Sequence, residues 1–512
     1  MALIIAGRIV PMSVNDPSAV VDGRIYLGDD GFVEAVTAGD AGAPAGFERA
    51  PVVETGDALV IPGLIDLHNH LGYNALPLWA EPTQKKPFLH HNDWPNKPSY
   101  KPDVSWPAWI LAKGDPEAML AYVQARALVG GTTAIQGWPA FNRPPQMVLR
   151  NIDSEEAGTT NRNLVYTAVI TETPLQLART AQLMSRGAGF IYHCSEGQPG
   201  SVVAREFTDA ANAGCLEKKM VAIHCNAVAD SDWERWQPSD AGAVVWSPFS
   251  NYWLYGKTTN IPLARQRGIS ICLGSDWGPS GTKHVLGEIK VAKLASVKEK
   301  FNLSDQDLVA MVTSNPGDVL ARCWSRQIGR LTQGSFADVT VLRPNGDGDV
   351  WSQVVNATER EVMLVVVGGK PRYGDANLMT KAGASPVTTL SVAGRQRKLA
   401  IPDPQDPTKA FEWKDVVSRL DAVRDDPAAA VKKAEGRARS FAGPISEPDA
   451  PLELALDMPS GDAMAFAGPP PNPAKVEVPP LPTLVHDKAF FSDIRGRGFH
   501  GGVLDGLAAF YK

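Results

Sequence analysis

The middle of this 512-residue chain alternates apolar, strand-like runs with helix-like stretches. Strands that are joined through helices run parallel, because each helical crossover returns the chain to the same end of the sheet. Repeated this often, the pattern favours a (β/α)8 barrel, in which functional side chains stand at the carboxyl ends of the strands. The strand candidates are residues 64–67, 132–136, 164–170, 190–193, 221–224, 244–246 and 269–273, and helical patterns cover residues 116–129 and 286–298.

Short β-like segments flank this middle part on both sides, separated by glycines and aspartates. We therefore predict an α/β protein with a (β/α)8 TIM barrel over residues 61–325 and a small composite β-sandwich domain from residues 1–60 and 326–384. Prolines crowd the sequence further on, as in Gly468-Pro-Pro-Pro-Asn-Pro473. Residues 385–512 are predicted to form a Pro-rich C-terminal extension that docks on its own barrel or on a partner subunit.

Charge, apolar runs and cysteines exclude several classes of protein. The net charge is −6, and no basic cluster indicates a nucleic-acid partner. No apolar stretch is long enough to span a bilayer, so we expect no membrane partner. The five cysteines lack zinc-finger spacing and suit reduced thiols. These features predict a cytoplasmic enzyme with a small-molecule substrate, and we expect a homo-oligomer.

A His-x-His pair, His68 and His70, ends the first strand candidate of the middle region. Side chains two residues apart in a strand point to the same side. Both imidazoles therefore leave the end of a rigid element together, which is what a metal ion requires of two ligands. Taken alone, the pair is only a weak indication of a metal site.

Other strand candidates end in the same kinds of residue. One ends at His193, with Glu196 three positions on; the next ends at His224, and a later one is followed by Asp276. A single buried strand-end histidine is more often a hydrogen-bonded core residue than a ligand. Four of them with an aspartate, all at one end of a barrel, fit that interpretation poorly.

Together these motifs resemble the amidohydrolase superfamily. Their order and spacing are most similar to the branch of cytosine deaminase, guanine deaminase and the chlorohydrolases, over about residues 1–375. The matching segments are Pro-Gly-Leu-Ile-Asp-Leu-His68-Asn-His70, Gly131-Thr-Thr133, His193-x-x-Glu196, His224, Ser247-Pro-x-Ser-Asn251, Gly274-Ser-Asp276, Thr313-Ser-Asn-Pro-Gly317 and Gly329-x-Leu-x-x-Gly334-x-x-Ala-Asp338.

The resemblance implies one divalent metal ion. Imidazoles with one carboxylate suit Zn²⁺, our first choice, or Fe²⁺, and not Ca²⁺ or Mg²⁺. The predicted ligands are His68, His70, His193 and Asp276. The metal would make a bound water acidic enough to give hydroxide at neutral pH.

The predicted catalytic residues are Glu196, His224 and Asp276. Glu196 would protonate a ring or leaving nitrogen while hydroxide attacks the adjacent carbon; the alternative is a loop carboxylate paired with a basic side chain. Asp276 would take a proton from the water. His224 would act as a base or polarise the attacked bond, and the alternative is a direct metal ligand.

The number of metal ions follows from a missing residue. Binuclear relatives bridge two metals with a carbamylated lysine on an early barrel strand, and here no lysine occurs between Lys113 and Lys218. We therefore predict a mononuclear site. Glu172, after the strand candidate 164–170, is the alternative bridging residue; otherwise it is an ordinary loop carboxylate.

The segment after His70 is long and rich in aromatic residues, and it is a candidate lid or pocket wall. Aromatic faces would suit a planar substrate, although these rings could equally pack the loop on the barrel. His90 and His91 match no motif. The predicted substrate-facing residues are Tyr73, Trp79, Trp138 and Trp277.

We therefore predict a metal-dependent hydrolase acting on carbon–nitrogen bonds other than peptide bonds. The leading reaction is hydrolytic deamination of a small, heteroaromatic substrate by metal-bound hydroxide. The first alternative is an amide or cyclic-amide hydrolase with the same site. The second is a non-catalytic relative that uses the barrel as a scaffold, which the complete ligand set disfavours.

Overall fold

The structure of the protein is a computed structural model. It describes residues 2–39, 41–137, 147–153, 164–168, 171–322, 326–440, 469–485 and 488–512, with residues 452, 454 and 456; for residues 164–168 and 438–439 only the backbone is described.

Eight parallel strands form the centre of the molecule, in two sheets whose order follows the chain. One sheet contains β5 to β7 and the other β8 to β12. A parallel bridge between Asn69 and Asp276 connects the chain just after the first strand with the chain just after the last. The strands are β5 (Leu64–Asp66), β6 (Thr132–Ile135), β7 (Arg150–Asn151), β8 (Leu164–Ala168), β9 (Gly189–Cys194), β10 (Met220–His224), β11 (Ala243–Trp246) and β12 (Ser270–Leu273).

The mixed α/β fold with parallel strands is confirmed, and all seven strand candidates of the middle region are strands. The sequence did not reveal β7, because two residues are too few to produce a recognisable period. The helices around these strands are α1 (Trp106–Gly114), α2 (Pro116–Val129), α3 (Pro174–Met184), α4 (Arg205–Ala213), α5 (Pro248–Tyr255), α6 (Ile261–Gln266), α7 (Val285–Glu299), α8 (Asp305–Ala310) and α9 (Ser314–Ala321).

The predicted helix over residues 116–129 begins and ends as the sequence indicates. Pro116 occupies the first helical position, where a missing N–H costs nothing. The Asp115 carboxylate caps the helix by accepting from the Ala118 N–H at 3.1 Å. Glycine follows the last helical residue. In α7, the ring of His284 accepts from the Gly287 N–H at 3.3 Å and caps the helix in the same way.

The two flanks pair in one nine-stranded sheet of order β16-β17-β15-β14-β13-β4-β1-β2-β3. Antiparallel pairing of β4 with β13 joins the N-terminal to the C-terminal part of it. Two of its strands, β16 and β17, lie beyond residue 384. The sheet contains β1 (Leu3–Ile9), β2 (Val21–Leu27), β3 (Val33–Ala38), β4 (Val52–Pro62), β13 (Val339–Leu342), β14 (Val362–Val367), β15 (Lys370–Asp375), β16 (Thr388–Val392) and β17 (Arg395–Leu399).

The C-terminal segments that the structure describes pack on the body of the same chain. The Lys283 ammonium donates to the carbonyls of Thr483 and Val485 at 2.6 and 2.5 Å. Phe490 stacks on Phe249, with ring centroids 5.9 Å apart. The remaining helices are α10 (Val350–Asn356), α11 (Ala376–Lys381), α12 (Trp413–Asp425), α13 (Pro427–Ser440) and α14 (Lys488–Gly496), and a 3-10 helix covers Leu504–Tyr511.

Within the described part of the chain, no helix is both long enough and apolar enough to cross a membrane.

Lys283→Met tests how the C-terminal segment is held. The substitution keeps the apolar stem but removes the charged donor from two tail carbonyls. A hydrogen bond to a charged group contributes about 1.5–3 kcal/mol, so we expect a lower free energy of unfolding and faster proteolysis near residue 484. Lys298→Met, which changes an exposed lysine of α7, is the control. Unchanged cleavage near residue 484 would contradict this attachment.

Candidate metal centre and active site

Four histidines and one aspartate converge at the carboxyl ends of the parallel strands. Nε2 of His68 lies 3.0 Å from Oδ1 of Asp276, and Nε2 of His70 lies 3.3 Å from Nε2 of His193. Two overlapping sets could each hold a metal ion, namely His68 with His193 and His224, and His68 with His70 and Asp276. Within each set the ligand atoms lie within 4.8 Å of one another. The structure thus brings all the predicted ligands together.

The backbone is unusual where three of these strands end. Ser195, His224 and Asp276 have φ values of 53°, 66° and 61°. Non-glycine residues rarely adopt this left-handed conformation, which costs roughly 1–2 kcal/mol and recurs at functional sites. The surrounding fold therefore stabilises these residues in an unfavourable backbone conformation, and this conformation sets the direction of their side chains.

Hydrogen bonding prepares His68 for a metal ion. Its Nδ1 lies 3.3 Å from the side-chain oxygen of Gln136, whose amide nitrogen donates to Asp153 at 3.1 Å. This orientation places a proton on Nδ1 and leaves a lone pair on Nε2. Nε2 is buried without a hydrogen-bond partner, and the nearest group is the Asp276 carboxylate. The carboxylate favours a cation at Nε2, either a proton or a metal ion, and a neutral ring with its proton on Nδ1 offers its Nε2 lone pair to the metal.

Burial and neighbouring charges shift the pKa values of this cluster in opposite directions. Burial lowers the pKa of His68, but Asp276 outweighs burial and holds that pKa above its usual value. Burial, with His68 nearby, lowers the pKa of His70 to about 4 and that of His193 well below normal. Burial raises the pKa of Asp276, but His68 and His224 outweigh it and hold the carboxyl ionised. Neutral imidazoles with one carboxylate are the donor set that Zn²⁺ and Fe²⁺ prefer.

His224 is oriented by the Asn251 amide. Nδ2 of Asn251 lies 3.2 Å from Nδ1 of His224, while its oxygen accepts from the Thr258 hydroxyl at 3.3 Å. The amide nitrogen therefore donates to Nδ1, and the neutral ring carries its proton on Nε2. That Nε2 lies 3.7 Å from Glu196 and 3.8 Å from Asp276. A protonated Nε2 is a hydrogen-bond donor, which favours a role beside the metal over direct ligation.

Glu196 lies beside the cluster with both carboxylate oxygens in contact with other side chains. The Tyr255 hydroxyl donates to Oε1 at 2.6 Å and itself accepts from the indole of Trp94 at 3.1 Å. Nδ1 of His91 lies 3.3 Å from Oε2. Burial raises the pKa of Glu196, but His224 and His91 outweigh burial and hold it below the usual value. The carboxyl is therefore ionised at neutral pH.

The aromatic residues chosen from the sequence form a cluster beside Asp276. The ring centroid of Trp277 lies 5.8 Å from that of Tyr73 and 6.1 Å from that of Trp79, and Trp94 stacks on Trp277 at 5.0 Å. Tyr73, Trp79 and Trp277 are at most 5% exposed, which fits the packing alternative as well as a substrate wall. Their role as substrate contacts stays a prediction.

Two further sequence predictions concern Trp138 and Glu172. Trp138 lies outside the described residues. Glu172 is half-buried and belongs to neither ligand set found among the described residues. The alternative in which Glu172 bridges two metals therefore gains no support.

Several residues of the site were not predicted from the sequence. Gln136 could have been found, because it ends its strand candidate as the histidines end theirs. Asn251 belongs to one of the matching motifs, but the motif alone assigns it no contact with His224. His91 and Tyr255 gave no signal, since they reach Glu196 from a long loop and from the end of α5. Only the tertiary fold brings them to this position.

A search of family models found no match to the chain. Among curated proteins, it is similar to the 5-methylthioadenosine/S-adenosylhomocysteine deaminase of Moorella thermoacetica, with 24% identity over 400 residues. The alignment covers 71% of this chain and 91% of that protein.

Solved structures of deaminases and chlorohydrolases share the fold. Guanine deaminase from C. acetobutylicum, with bound guanine, superposes with a TM-score of 0.54 and 16% identity, covering 72% of this chain and 100% of its own. Atrazine chlorohydrolase from Arthrobacter aurescens TC1, complexed with zinc, gives a TM-score of 0.54 and 16% identity, covering 72% of this chain and 94% of its own. More than a quarter of the present chain has no counterpart in either structure.

The fold and the site are similar to those of hydrolases of the amidohydrolase superfamily, as the motifs predicted. Within this superfamily, the similarities indicate the branch that contains the deaminases and chlorohydrolases.

Gln136→Met tests the hydrogen bond that fixes the His68 ring. Without the acceptor at Nδ1, the ring can place its proton on Nε2 and lose its lone pair toward the metal. Partners of ligand histidines contribute about 10–100-fold to metal affinity, and we expect a loss in that range, measured by competition with a chelator. Gln353→Met, a buried glutamine of α10, is the control and should bind metal normally. An unchanged affinity in Gln136→Met would contradict this role.

Proposed function

We propose that the protein hydrolyses a carbon–nitrogen bond of a small heteroaromatic substrate and releases ammonia, using one divalent metal ion. The observation that carries the proposal is the convergence of four imidazoles and Asp276 beside the ionised Glu196. His68, His70, His193 and Asp276 would hold the metal. Zn²⁺ is the proposed ion, supported by the donor set and by the zinc in a related chlorohydrolase structure.

The chain's own residues account for the protons of a deamination. When bound, the metal supplies Lewis-acid polarisation and makes water nucleophilic at neutral pH. The attacking water must lose two protons; one goes to the ring nitrogen next to the attacked carbon and the other to the departing amino group. Glu196, ionised before the reaction, accepts the first and passes it to the ring nitrogen. Asp276 accepts the second and passes it to the leaving group.

The structure modifies one detail of the sequence-based mechanism. From the sequence, Glu196 was expected to begin as an acid, whereas contacts with His91 and His224 favour its ionised form. Glu196 therefore acquires the transferred proton during the reaction. His224, with its proton on Nε2, donates toward the group under attack and stabilises the negative charge that develops there.

The proposed substrate class rests on the relatives and on the aromatic cluster. One related enzyme is named for deamination of adenosine derivatives, and another was solved with guanine. Both substrates carry an amino group on a heteroaromatic ring carbon next to a ring nitrogen. We extend this class to the present chain, where Tyr73, Trp79 and Trp277 would line the approach to the metal centre.

We also propose that the eight parallel strands close into one barrel, supported by the bridge between Asn69 and Asp276. The barrel would cover residues 61–325, and residues 1–60 with 326–384 would form the composite β domain, with β16 and β17 added to its sheet. Residues 385–512 would be the C-terminal extension. We further propose that the protein is a cytoplasmic homo-oligomer without a nucleic-acid partner.

Glu196→Gln tests the proton carrier. The amide preserves size but cannot carry a proton, so kcat should fall by about 10³-fold or more while metal content stays unchanged. Elemental analysis of the unaltered protein should find about one zinc or iron per chain. Asp209→Asn, a less buried carboxylate of α4, is the matched control. A fully active Glu196→Gln variant would refute the proton-carrier role, and two metals per chain would refute the mononuclear site.

A substrate panel separates the two reactions that this site could perform. Aminated purines and pyrimidines are offered beside open-chain and cyclic amides, with ammonia and amine release measured separately. We expect ammonia from the aminated rings, and no activity after the metal is removed by a chelator. Turnover confined to the amides would replace deamination by amide hydrolysis.

A further inference from the structure

The long loop after β5 is joined directly to the segment that carries Glu196. The backbone N–H of His91 donates to the Glu196 carbonyl at 3.1 Å, and the Gln198 N–H donates to the Leu89 carbonyl at 2.8 Å. An antiparallel bridge pairs His90 with Gly197 between them. The loop thus forms a short two-stranded contact beside the proposed proton carrier, and any shift of the loop would move Glu196 as well.

The side chain of His91 lies between two buried carboxylates. Its Nδ1 is 3.3 Å from Oε2 of Glu196, and its Nε2 is 3.4 Å from Oε1 of Glu206. All three side chains are at most 5% exposed. A neutral imidazole has only one N–H, whereas a ring that faces a carboxylate at each nitrogen is favoured as the doubly protonated cation. Burial lowers the pKa of His91, but the two carboxylates outweigh burial and raise it to about 10.

The Glu206 carboxylate is fixed by hydrogen bonds beside His91 and is not one of the candidate metal ligands. It lies in the first turn of α4, where the Ser195 N–H donates to Oε2 at 2.7 Å and the Thr171 hydroxyl donates to Oε1. It belongs to neither candidate ligand set. A fixed, buried carboxylate at this position maintains the positive charge of the neighbouring ring.

We propose that His91 is a positioning residue for Glu196: its imidazolium, fixed by Glu206, keeps the proton carrier ionised and directed toward His224 before the substrate binds. The proposal rests on the proposed function and deepens it. It also assigns the aromatic loop a second task besides lining the pocket, because the loop supplies both His91 and Trp94, the indole that orients Tyr255.

The other charged groups around this contact do not replace His91. Glu196 also faces His224 at 3.7 Å, and a protonated His224 would favour its ionisation, but burial lowers the pKa of that ring. Tyr255 donates to Glu196 as a neutral phenol. At longer range, Asp276 opposes ionisation of Glu196, and His70, whose pKa burial lowers to about 4, is neutral near pH 7. The other charged or titratable groups near His91 are Glu206 and the half-buried ring of His90. Burial and the charge of His91 lower the pKa of His90. The imidazolium of His91 is therefore the closest cation to Glu196 among the described residues.

His91→Gln is the direct test, read from kcat, KM and the pH profile of kcat/KM. Glu196 must be ionised in the free enzyme, so its titration sets the acidic limb of that profile. Loss of a contacting cation raises the pKa of a carboxylate by about one unit or more. We expect the acidic limb to move to higher pH by that amount and kcat to fall about 10–100-fold. Metal content and KM should remain within about threefold.

The double variant His91→Gln/Glu206→Gln keeps the test valid if the single variant folds poorly. Removing Glu206 as well eliminates one of the two buried carboxylates that lose their cation, so the double variant should regain part of the lost stability. If His91 acts through its charge, the double variant still shows the shifted acidic limb and reduced kcat. If His91 only fills space, the double variant returns to the normal profile, and the proposal is overturned.

His90→Gln is the matched control, since it changes the adjacent histidine, which contacts neither carboxylate. It should leave kcat and the pH profile unchanged. Failure of this inference is distinguishable from failure of the proposed function. In the first case, Glu196→Gln is inactive while His91→Gln keeps the normal acidic limb; in the second, Glu196→Gln itself remains active.

Discussion

The site depends on burying acidic and basic side chains together in one small volume that excludes water. Burial alone would favour neutral forms of Asp276 and Glu196, yet both are held ionised by the histidines around them. Burial, reinforced by the neighbouring imidazoles, lowers the pKa of His70 and His193, whereas Asp276 holds the pKa of His68 above its usual value. Nε2 of His68 and the Asp276 carboxylate lie 3.0 Å apart, so a cation between them, either a proton or a metal ion, satisfies both groups.

The parallel sheets create this balance by bringing distant parts of the chain to one place. Asp276 follows the last central strand, and its N–H donates to the carbonyl of His68, after the first strand, at 3.0 Å. Behind this contact, the Asp66 carboxylate accepts from the Ser275 N–H at 2.9 Å. Gly274 leaves no room for a side chain there, since a Cβ would lie 2.5 Å from that of His68. First and last strands are thereby held in the register that the metal ligands require.

The parts of the chain outside the strands surround the proposed proton carrier, Glu196. The loop after β5 contributes His91 to one oxygen of Glu196 and, through Trp94 and Tyr255, a donor to the other. The C-terminal segment packs against this loop, where Phe499 contacts Phe88 with centroids 6.4 Å apart. The C-terminal segment thus lies against the same loop that contacts Glu196.

The sequence by itself determined the parallel α/β fold and the cluster of His68, His70, His193, His224 and Asp276. It could do so because strand period and strand-end position are local properties, and parallel strands bring their carboxyl ends together. Only the tertiary structure decided that Glu196 starts ionised, that Asn251 sets the His224 tautomer, and that His91 lies between two carboxylates. These depend on distances across the fold and on burial, because a pKa and a tautomer are set by neighbours in space rather than by neighbours along the chain.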